Sequence, residues 1–450
     1  MITLKQAAAW CGGSVLPEYE NVSFSGASND SRTIRPGQLF AALRAERDGH
    51  DFIPAAMAAG AAAVLGERQL PNVPMIVVPD SLDALAEIAA GWRSCLSQTR
   101  FIGLTGSVGK TSTKEMLAGI CSSVMRTAYT EKNFNNLIGV SMTVLGISRE
   151  TELAVVEMGM SHAGELSRLT RIVRPHVAVI TNIGTMHIEN LGSRKAICQA
   201  KLEILEALEP DGVAVLNGDE PLLRAAAPAC RTLWFGLSDG CDLRGTDVQA
   251  TATGVAFTAV GFGKRQAIAL SVPGTHYVMD ALAAMLAAHC VGVSPSIASA
   301  CLQLFQNTGN RLRVSSSAGC TVIADCYNAG PESTKAALDV LQSYPCAGRR
   351  IAVLSDMLEL GSYALKAHQL VGFQAAQAAD LILCCGTLSA SLAAAAGEKA
   401  RWFESQEALL AALLAAVRPG DLVLFKASHG MYLDKVLDQF TQRLADAAQR

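Results

Sequence analysis

The sequence predicts an α/β protein that is built on largely parallel sheets and divided into three domains. Short β-branched or apolar runs, such as FIGLTG, VAVITNIG and RIAVLSD, alternate with longer segments rich in alanine and leucine. Most of these segments are long enough to form the crossover helices that parallel strands require. With 450 residues, half of them apolar, the chain is too long for one ordinary core.

Domain limits are expected where helical segments give way to new strand runs. The first block, 1–99, is a small α/β unit that ends in a helical stretch before FIGLTG. The second, 100–310, is a parallel-sheet unit with a polar, glycine-bearing stretch near 238–265 that predicts a short antiparallel excursion. The third, 311–450, begins at the hinge-like segment GNRLRV and holds strand–helix units typical of a Rossmann-like sheet.

Charge and cysteine content argue against several classes of protein. The formal net charge is -3, whereas nucleic-acid-binding proteins carry a basic face, so no nucleic-acid partner is expected. The thirteen cysteines are scattered without a CxxC pair, which favours reduced thiols over a disulfide framework or a zinc site. No secretory signal or run long enough to span a bilayer is visible. We therefore expect a cytoplasmic protein, and a monomer.

The segment FIGLTGSVGKTSTKEML carries the strongest functional pattern: a strand-like run, a glycine turn and a helical stretch. Such a turn lets backbone N–H groups surround an anion, and the helix N-terminus adds partial positive charge. The spacing differs from the strict Walker A motif, because Leu104 stands where its first glycine is expected. A chance glycine-rich turn is the alternative. The pattern predicts that nucleotide phosphates bind to Gly106, Ser107, Gly109, Lys110, Thr111 and Ser112.

Two further polar residues follow strand-like runs. Glu157 ends LAVVE, and the carboxyl end of a parallel strand is where a Mg²⁺ ligand belongs. A solvated loop carboxylate is the alternative. His187 follows VAVITN, but imidazole is an unusual ligand for a hard cation, so chemistry alone favours a polar loop histidine.

Seven segments are spread along nearly the whole chain: NDSRTIRPGQLFAAL, TGSVGKTST, EKNFNNLIGV, VEMGMSHAGEL, NIGTMHIENLGSRKAICQAKLEIL, DCYNAGPEST and SDMLELG. Together, and in this order, they resemble the Mur ligase family. The resemblance implies that ATP phosphorylates a substrate carboxylate to an acyl phosphate, which an amine attacks to give an amide, ADP and phosphate. UDP-N-acetylmuramoyl-tripeptide is the implied acid, and the last two segments imply D-alanyl-D-alanine as the amine.

The same resemblance assigns roles in the second block. It makes Glu157 a ligand of Mg²⁺ and His187 a ligand of a second Mg²⁺. It places a carbamylated lysine at Lys201, where CO₂ would turn a cationic amine into an anionic oxygen ligand. Only a neutral amine reacts in this way, so a depressed pKa is required; without the resemblance, Lys201 is a surface helix lysine. The implied catalytic residues are Lys110, Asn136, His187 and Lys201, and the implied metal ligands are Thr111, Glu157, His187 and Lys201.

The resemblance places ATP between the second and third blocks. Asp280 stands where an adenine-contacting asparagine is usual, and a carboxylate cannot donate a hydrogen bond as an amide does. Arg311 is expected to contact the ATP phosphates and Asp325 the ribose. A hinge arginine and a helix N-terminal carboxylate are the alternatives.

Substrate-binding residues are implied at both ends of the chain. Ser31 and Arg32 are expected to bind the UDP diphosphate, although ion pairing explains the arginine equally well. Tyr327 and Asn328 lie in the segment associated with addition of the dipeptide. Asn136, rather than its neighbour, is expected to hold the reacting carboxylate, with an Asx-turn as the alternative.

Three alternative functions stay open at this point. The first is another ligase of the same architecture with a different amine, and the second is a nucleotide-binding paralogue without ligase activity. Replacements of usual family residues at Tyr277, Asp280, Ser355 and His429 motivate the second. The third is a P-loop kinase or GTPase, which the missing NKxD motif and the unusual loop spacing argue against.

Overall fold

A computed structural model describes residues 1–251, 253–307 and 309–448 and confirms the predicted α/β class. The N-terminal part contains β1 (Ile2–Thr3), α1 (Leu4–Cys11), β2 (Ser23–Phe24), β3 (Ala27–Ser28), β4 (Leu39–Ala41), α2 (Ile53–Ala58), β5 (Ala63–Gly66), β6 (Met75–Val77) and α3 (Ser81–Ser94). Strands β3-β4-β5-β6 form a parallel sheet in that order, and β1 pairs antiparallel with β2.

Helix α3 shows how local sequence sets these elements. Asp80 caps its N-terminus by accepting hydrogen bonds from the N–H groups of Leu82 and Asp83, at 2.9 and 2.8 Å. Leu85, Ile88 and Trp92 recur at helical spacing and are buried. This apolar face packs the helix into the core, and Trp92 Nε1 also donates to the Ile147 carbonyl at 2.9 Å.

The central part is a single nine-stranded sheet of order β15-β14-β13-β12-β11-β10-β7-β9-β8. Its elements are β7 (Arg100–Thr105), α4 (Lys110–Ser122), β8 (Thr127–Tyr129), α5 (Leu137–Leu145), β9 (Leu153–Glu157), α6 (Glu165–Val173), β10 (Val177–Ile180), α7 (Ile188–Leu191), α8 (Arg194–Leu202), β11 (Val213–Asn217), α9 (Pro221–Ala226), β12 (Arg231–Gly236), β13 (Leu243–Ala250), β14 (Val255–Gly261), β15 (Lys264–Leu270), α10 (Tyr277–Cys290) and α11 (Pro295–Gln303).

Most of this sheet is parallel, and helices cover both faces of its central strands, which explains why those strands are almost entirely apolar. The four residues Leu153, Ala154, Val155 and Val156 of β9, for example, are all fully buried. The antiparallel excursion predicted near 238–265 is present as β13, β14 and β15, which extend one edge of the same sheet.

The C-terminal part has a six-stranded sheet of order β16-β17-β21-β18-β19-β20, parallel except for β16. Its elements are β16 (Arg313–Ser317), β17 (Cys320–Asp325), α12 (Pro331–Ser343), β18 (Arg350–Ser355), α13 (Ala364–Ala378), β19 (Leu381–Cys385), α14 (Ser389–Ala396), β20 (Ala400–Phe403), α15 (Gln406–Ala416), β21 (Leu422–Lys426) and α16 (Leu433–Ala448).

The predicted domain limits after residues 99 and 310 fall between these sheets. Helix α3 ends at Ser94 and β7 begins at Arg100, while α11 ends at Gln303 and β16 begins at Arg313. Within the described ranges, no helix has both the length and the apolar character needed to cross a bilayer.

Two helix glycines give a matched test of the packing. A Cβ on Gly372 of α13 would lie 2.3 Å from the Leu392 carbonyl oxygen of α14, whereas a Cβ on Gly119 of α4 would meet nothing within 4 Å. We expect Gly372→Ala to lower the free energy of unfolding by about 1–3 kcal/mol through overpacking. The control Gly119→Ala should raise it by about 0.5–1 kcal/mol. Urea unfolding followed by circular dichroism measures both; equal midpoints for the two variants would contradict this packing.

Candidate active site

The loops that follow three neighbouring strands meet at one edge of the central sheet. Strand β7 lies between β10 and β9, and all three run parallel. In this register Thr105 pairs with Ile180, and Leu104 pairs with Glu157. The glycine turn after β7, the carboxylate that ends β9 and the loop after β10 therefore share one end of the sheet, where ligands of such folds bind.

The glycine turn depends on close contacts that a side chain would obstruct. Gly109 has φ +80°, and a Cβ there would lie 2.2 Å from Asp280 Oδ1. A Cβ on Gly106 would lie 1.8 Å from Thr181 Oγ1. Both glycines are thus required by the packing of the loop against its neighbours.

Asn182 holds this turn in place and was not identified from the sequence. Its Oδ1 accepts hydrogen bonds from the backbone N–H groups of Ser107 and Val108, at 3.1 and 3.0 Å. Its Nδ2 donates to the Val108 carbonyl at 3.1 Å. The available signal was its position directly after the strand run VAVIT.

Lys110 opens α4 and bends back over the turn. Its Nζ donates to the carbonyl oxygens of Gly106 and Ser107, at 2.7 and 3.3 Å. Burial lowers the pKa of Lys110, assisted by Arg311, while Glu157 opposes this shift. The amine therefore lies inside the loop that the sequence identified as a phosphate site.

Glu157 is buried, and its carboxylate accepts hydrogen bonds from two neutral groups. Thr111 Oγ1 donates to its Oε2 at 3.0 Å, and Asn135 Nδ2 donates to its Oε1 at 2.8 Å. Asn136, the residue preferred on sequence grounds, instead caps α5, since its Oδ1 accepts from Gly139 N–H at 2.9 Å. Both asparagines line the same cavity. Asn135, rather than Asn136, contacts the Glu157 carboxylate there.

His187 lies in the loop after β10 in a left-handed conformation, φ +63°. Its Nδ1 is 2.5 Å from Glu359 Oε2. This contact lies within ion-pair distance, and Nδ1 has no other hydrogen-bond partner among the described residues. The imidazole lowers the pKa of Glu359.

Lys201 is fully buried on α8, not exposed as an ordinary helix lysine would be. Burial, followed by repulsion from Lys110, lowers its pKa well below the usual value, while Cys198 opposes the shift. A neutral amine is therefore favoured at this position.

Asp280 also lies in the cavity as a buried acid. Its Oδ1 accepts from Thr113 Oγ1 at 3.3 Å. Burial raises its pKa to about 8, although the Thr113 hydrogen bond opposes the shift. A carboxylic acid that stays protonated at neutral pH can donate as well as accept, which removes the chemical objection to its replacing an asparagine. Its neighbour Tyr277 is buried in the core.

The C-terminal sheet supplies the opposite wall. The guanidinium carbon of Arg311 lies 3.6 Å from the centroid of the Tyr327 ring. Asp325, at the end of β17, pairs with Lys426 Nζ at 2.7 Å. Lys426 also donates to the Asn328 carbonyl at 2.7 Å. Lys426 was another residue not identified from the sequence.

These residues surround a cavity of about 810 Å³ between the central and C-terminal sheets. Gly106 and Lys201 are not part of its lining, and neither are Ser31 and Arg32. The lining includes Ser107, the run 109–112, Asn136, Glu157, His187, Asp280, Arg311, Asp325, Tyr327 and Asn328.

The two N-terminal residues stand apart from this cavity. The exposed Arg32 pairs with Asp30 through Nε at 2.9 Å and Nη2 at 2.7 Å. This pair lowers the pKa of Asp30 to about 2 and raises that of Arg32. The ion-pair alternative is present in the structure, and the UDP role of Ser31 and Arg32 stays a prediction.

Protonation of Asp280 predicts a pH-dependent stability. Its pKa rises on folding from 3.8 to about 8, so the folded chain binds more protons than the unfolded chain between these values. The free energy of unfolding then falls as pH rises through this range. The variant Asp280→Asn has no titrating side chain at this position, so it lacks this decrease. Its free energy of unfolding, minus that of the unchanged protein, should therefore grow from pH 4 to pH 8.

Thermal unfolding of the two proteins between pH 4 and pH 9 measures this difference. Asp280→Ala, which removes packing together with the acid, separates the two contributions. A constant difference between Asp280→Asn and the unchanged protein across the range would show that Asp280 is ionised in the folded state.

Family models match all three parts of the chain. The Mur ligase family, catalytic domain, matches residues 23–93; the Mur ligase middle domain matches residues 104–288; and the Mur ligase, glutamate ligase domain, matches residues 310–429.

Curated relatives and solved structures agree with these matches. The UDP-N-acetylmuramoyl-tripeptide–D-alanyl-D-alanine ligase of Bacillus subtilis is 39% identical over 97% of each chain, and that of Escherichia coli is 34% identical over 97% of each. MurF from Acinetobacter baumannii superposes with a TM-score of 0.90 at 31% identity, covering 98% of this chain and 99% of that one. MurF ligase from Thermotoga maritima in complex with ADP gives 0.84 at 28% identity, covering 94% and 98%. The chain therefore belongs to the Mur ligase family.

Proposed function

We propose that this protein joins D-alanyl-D-alanine to UDP-N-acetylmuramoyl-tripeptide in peptidoglycan precursor synthesis. ATP phosphorylates the tripeptide carboxylate to an acyl phosphate, and the dipeptide amine attacks its carbonyl. The tetrahedral intermediate collapses to the amide and phosphate, with ADP as the other product. The relatives from B. subtilis and E. coli, each matched over 97% of this chain, carry this activity in their names.

The observation that carries the proposal is the cavity between the central and C-terminal sheets. Two anions, the γ-phosphate and the substrate carboxylate, must approach each other, which requires cations and fixed donors. Lys110 and Arg311 supply positive charge from opposite walls. Enclosure between two sheets limits water, to which an acyl phosphate would otherwise be lost.

The residues beside the glycine turn fit Mg²⁺. Mg²⁺ prefers oxygen and is usually held by one or two carboxylates together with substrate phosphates. Glu157 and Thr111 present such oxygens side by side. Among the described residues, no group of three or more histidine, cysteine, aspartate or glutamate side chains could hold a metal ion, so phosphate oxygens would complete the shell. When bound, the cation would neutralise developing charge on the phosphates.

Carbamylation of Lys201 is the second part of this proposal. Its burial and lowered pKa support the neutral amine that must attack CO₂. Carbamylation would give the Lys201 side chain a negative charge and oxygen atoms that can ligate a cation. It would then bind a second Mg²⁺ together with His187. The repulsion between Lys201 and Lys110 would then become an attraction.

We propose the following roles for the three parts of the chain. The part before residue 100 would bind the UDP substrate through Ser31 and Arg32. Residues 100–310 would bind ATP, together with Arg311 and Asp325. The part after 310 would bind the dipeptide through Tyr327 and Asn328. Thirteen free thiols suit a reducing compartment and support a cytoplasmic location; a monomer stays a prediction.

A substrate-omission assay tests the reaction. With ATP, Mg²⁺, UDP-N-acetylmuramoyl-tripeptide and D-alanyl-D-alanine all present, we expect phosphate release to match formation of the new amide. Omission of either acceptor should abolish sustained release, because transfer to water is suppressed in the enclosed cavity. Phosphate release that needs neither substrate would contradict the proposal, as would nucleotide binding without any amide formation. A different preferred amine would indicate another Mur-type ligase.

Substitution of Lys201 tests the carbamate. Lys201→Ala should lower kcat on the order of 10- to 100-fold or more, since a group that holds a catalytic metal is lost. A short carboxylic acid should restore part of the rate by supplying the missing carboxylate oxygens. The control is Lys195→Ala, which removes an exposed lysine from the same helix and should leave kcat unchanged. Full activity of Lys201→Ala without added acid would remove this role.

A further inference from the structure

The loop after β10, residues 181–187, contacts both the glycine turn and the C-terminal sheet. On one side Asn182 binds the backbone of the turn, and Gly184 N–H donates to Ser107 Oγ at 2.9 Å. A Cβ on Gly184 would lie 3.1 Å from both Ser107 Cβ and Glu332 Cδ. The loop is therefore enclosed between two parts of the protein that are far apart in sequence.

Glu332 makes the polar contacts on the C-terminal side. Its Oε1 accepts from Thr185 N–H at 2.9 Å, and its Oε2 accepts from Thr185 Oγ1 at 3.0 Å. Thr185 is buried, and Glu332 lies in the first turn of α12, where the helix dipole favours a negative charge. Hydrogen bonds to an ionised group in such surroundings are among the stronger ones in proteins.

The same side of the loop meets two further parts of the C-terminal domain. Glu359 approaches His187, and a Cβ on Gly330 would lie 2.5 Å from Met186 Sδ. The loop therefore connects the two domains: Asn182 binds the glycine turn, and Thr185 binds Glu332 at the start of α12.

We propose that Glu332 is a positioning residue whose pair of hydrogen bonds to Thr185 fixes the His187 loop only when the C-terminal domain is docked. Arrival of that domain, which carries Arg311 and the proposed dipeptide site, would then complete the central site in the same step. The inference rests on the proposed function, since it assigns His187 a part in the reaction. Glu332 lines the cavity, but both of its carboxylate oxygens bind Thr185, so its proposed effect runs through the loop.

Amide hydrogen exchange of the full-length protein, without nucleotide or substrate, tests the connection directly. Glu332→Ala removes both hydrogen bonds, and Thr185→Val removes the hydroxyl bond while leaving α12 unchanged. We expect exchange in residues 181–191 to become about tenfold faster in Glu332→Ala, as for the loss of a charge-assisted hydrogen bond. Thr185→Val should show a smaller increase, and the double variant should resemble Glu332→Ala.

Steady-state kinetics of the same variants distinguishes positioning from binding. Glu332→Ala should lower kcat about tenfold, with a much smaller change in KM for ATP, because both Glu332 carboxylate oxygens bind Thr185 and position the loop. Asp339→Ala, on the exposed side of the same helix, is the matched control and should change neither readout.

Unchanged exchange in residues 181–191 of Glu332→Ala would overturn the inference, as would a raised KM for ATP with unchanged kcat. Faster exchange throughout the C-terminal sheet would also overturn it, because that would indicate only a loss of α12 stability. If the unchanged protein forms no amide while the exchange responds as expected, the proposed function fails and the connection between the domains stands.

Discussion

The site depends on the parallel, in-register pairing of β10, β7 and β9. Because these strands end at the same level of the sheet, their pairing alone brings the glycine turn, Glu157 and the His187 loop together. The strands can be apolar along their length because helices cover both faces, which leaves the chemistry to the residues that follow them. A shift of one residue in β9 would turn the Glu157 side chain to the other face of the sheet.

Burial shifts the pKa of several groups in and beside the cavity. Three of them, Lys110, Lys201 and Asp280, have pKa values displaced toward their neutral forms by loss of water. The Glu157 carboxylate accepts hydrogen bonds from the neutral side chains of Thr111 and Asn135, which a cation could replace or supplement. An anionic Asp280 beside the turn would repel phosphates, so its protonation suits a site that must hold several negative charges at once.

Two sheets are needed to complete the site. The central sheet contributes the glycine turn and the Glu157 carboxylate to the cavity. Arg311, Asp325 and Lys426 come from the segment and sheet that follow it. Acyl phosphate formation requires an enclosed site, whereas substrate entry requires an open one. Polar contacts such as that between Glu332 and Thr185 are suited to an interface that must separate, because water can replace them when the domains part.

The sequence alone determined the fold class, the family and the segments of the chain that carry the candidate site residues. Alternation of strand-like and helical segments depends on local periodicity, and the glycine turn depends on backbone conformations that few other residues adopt. The antiparallel strands near 238–265 could be predicted in this way. The approach of the third block to the cavity was implied by the family resemblance. The resemblance to a known family extended this knowledge to individual positions.

Which polar side chains meet was decided only by the tertiary structure. Asn135 and Asn136 are adjacent in sequence, yet one contacts Glu157 and the other caps a helix. The roles of Asn182 and Glu332 depend on partners that are 74 and 147 residues away in the chain. A hydrogen bond requires a donor–acceptor distance that is correct within a few tenths of an ångström, together with a favourable angle. Such agreement depends on how whole sheets pack against each other, which no local pattern specifies.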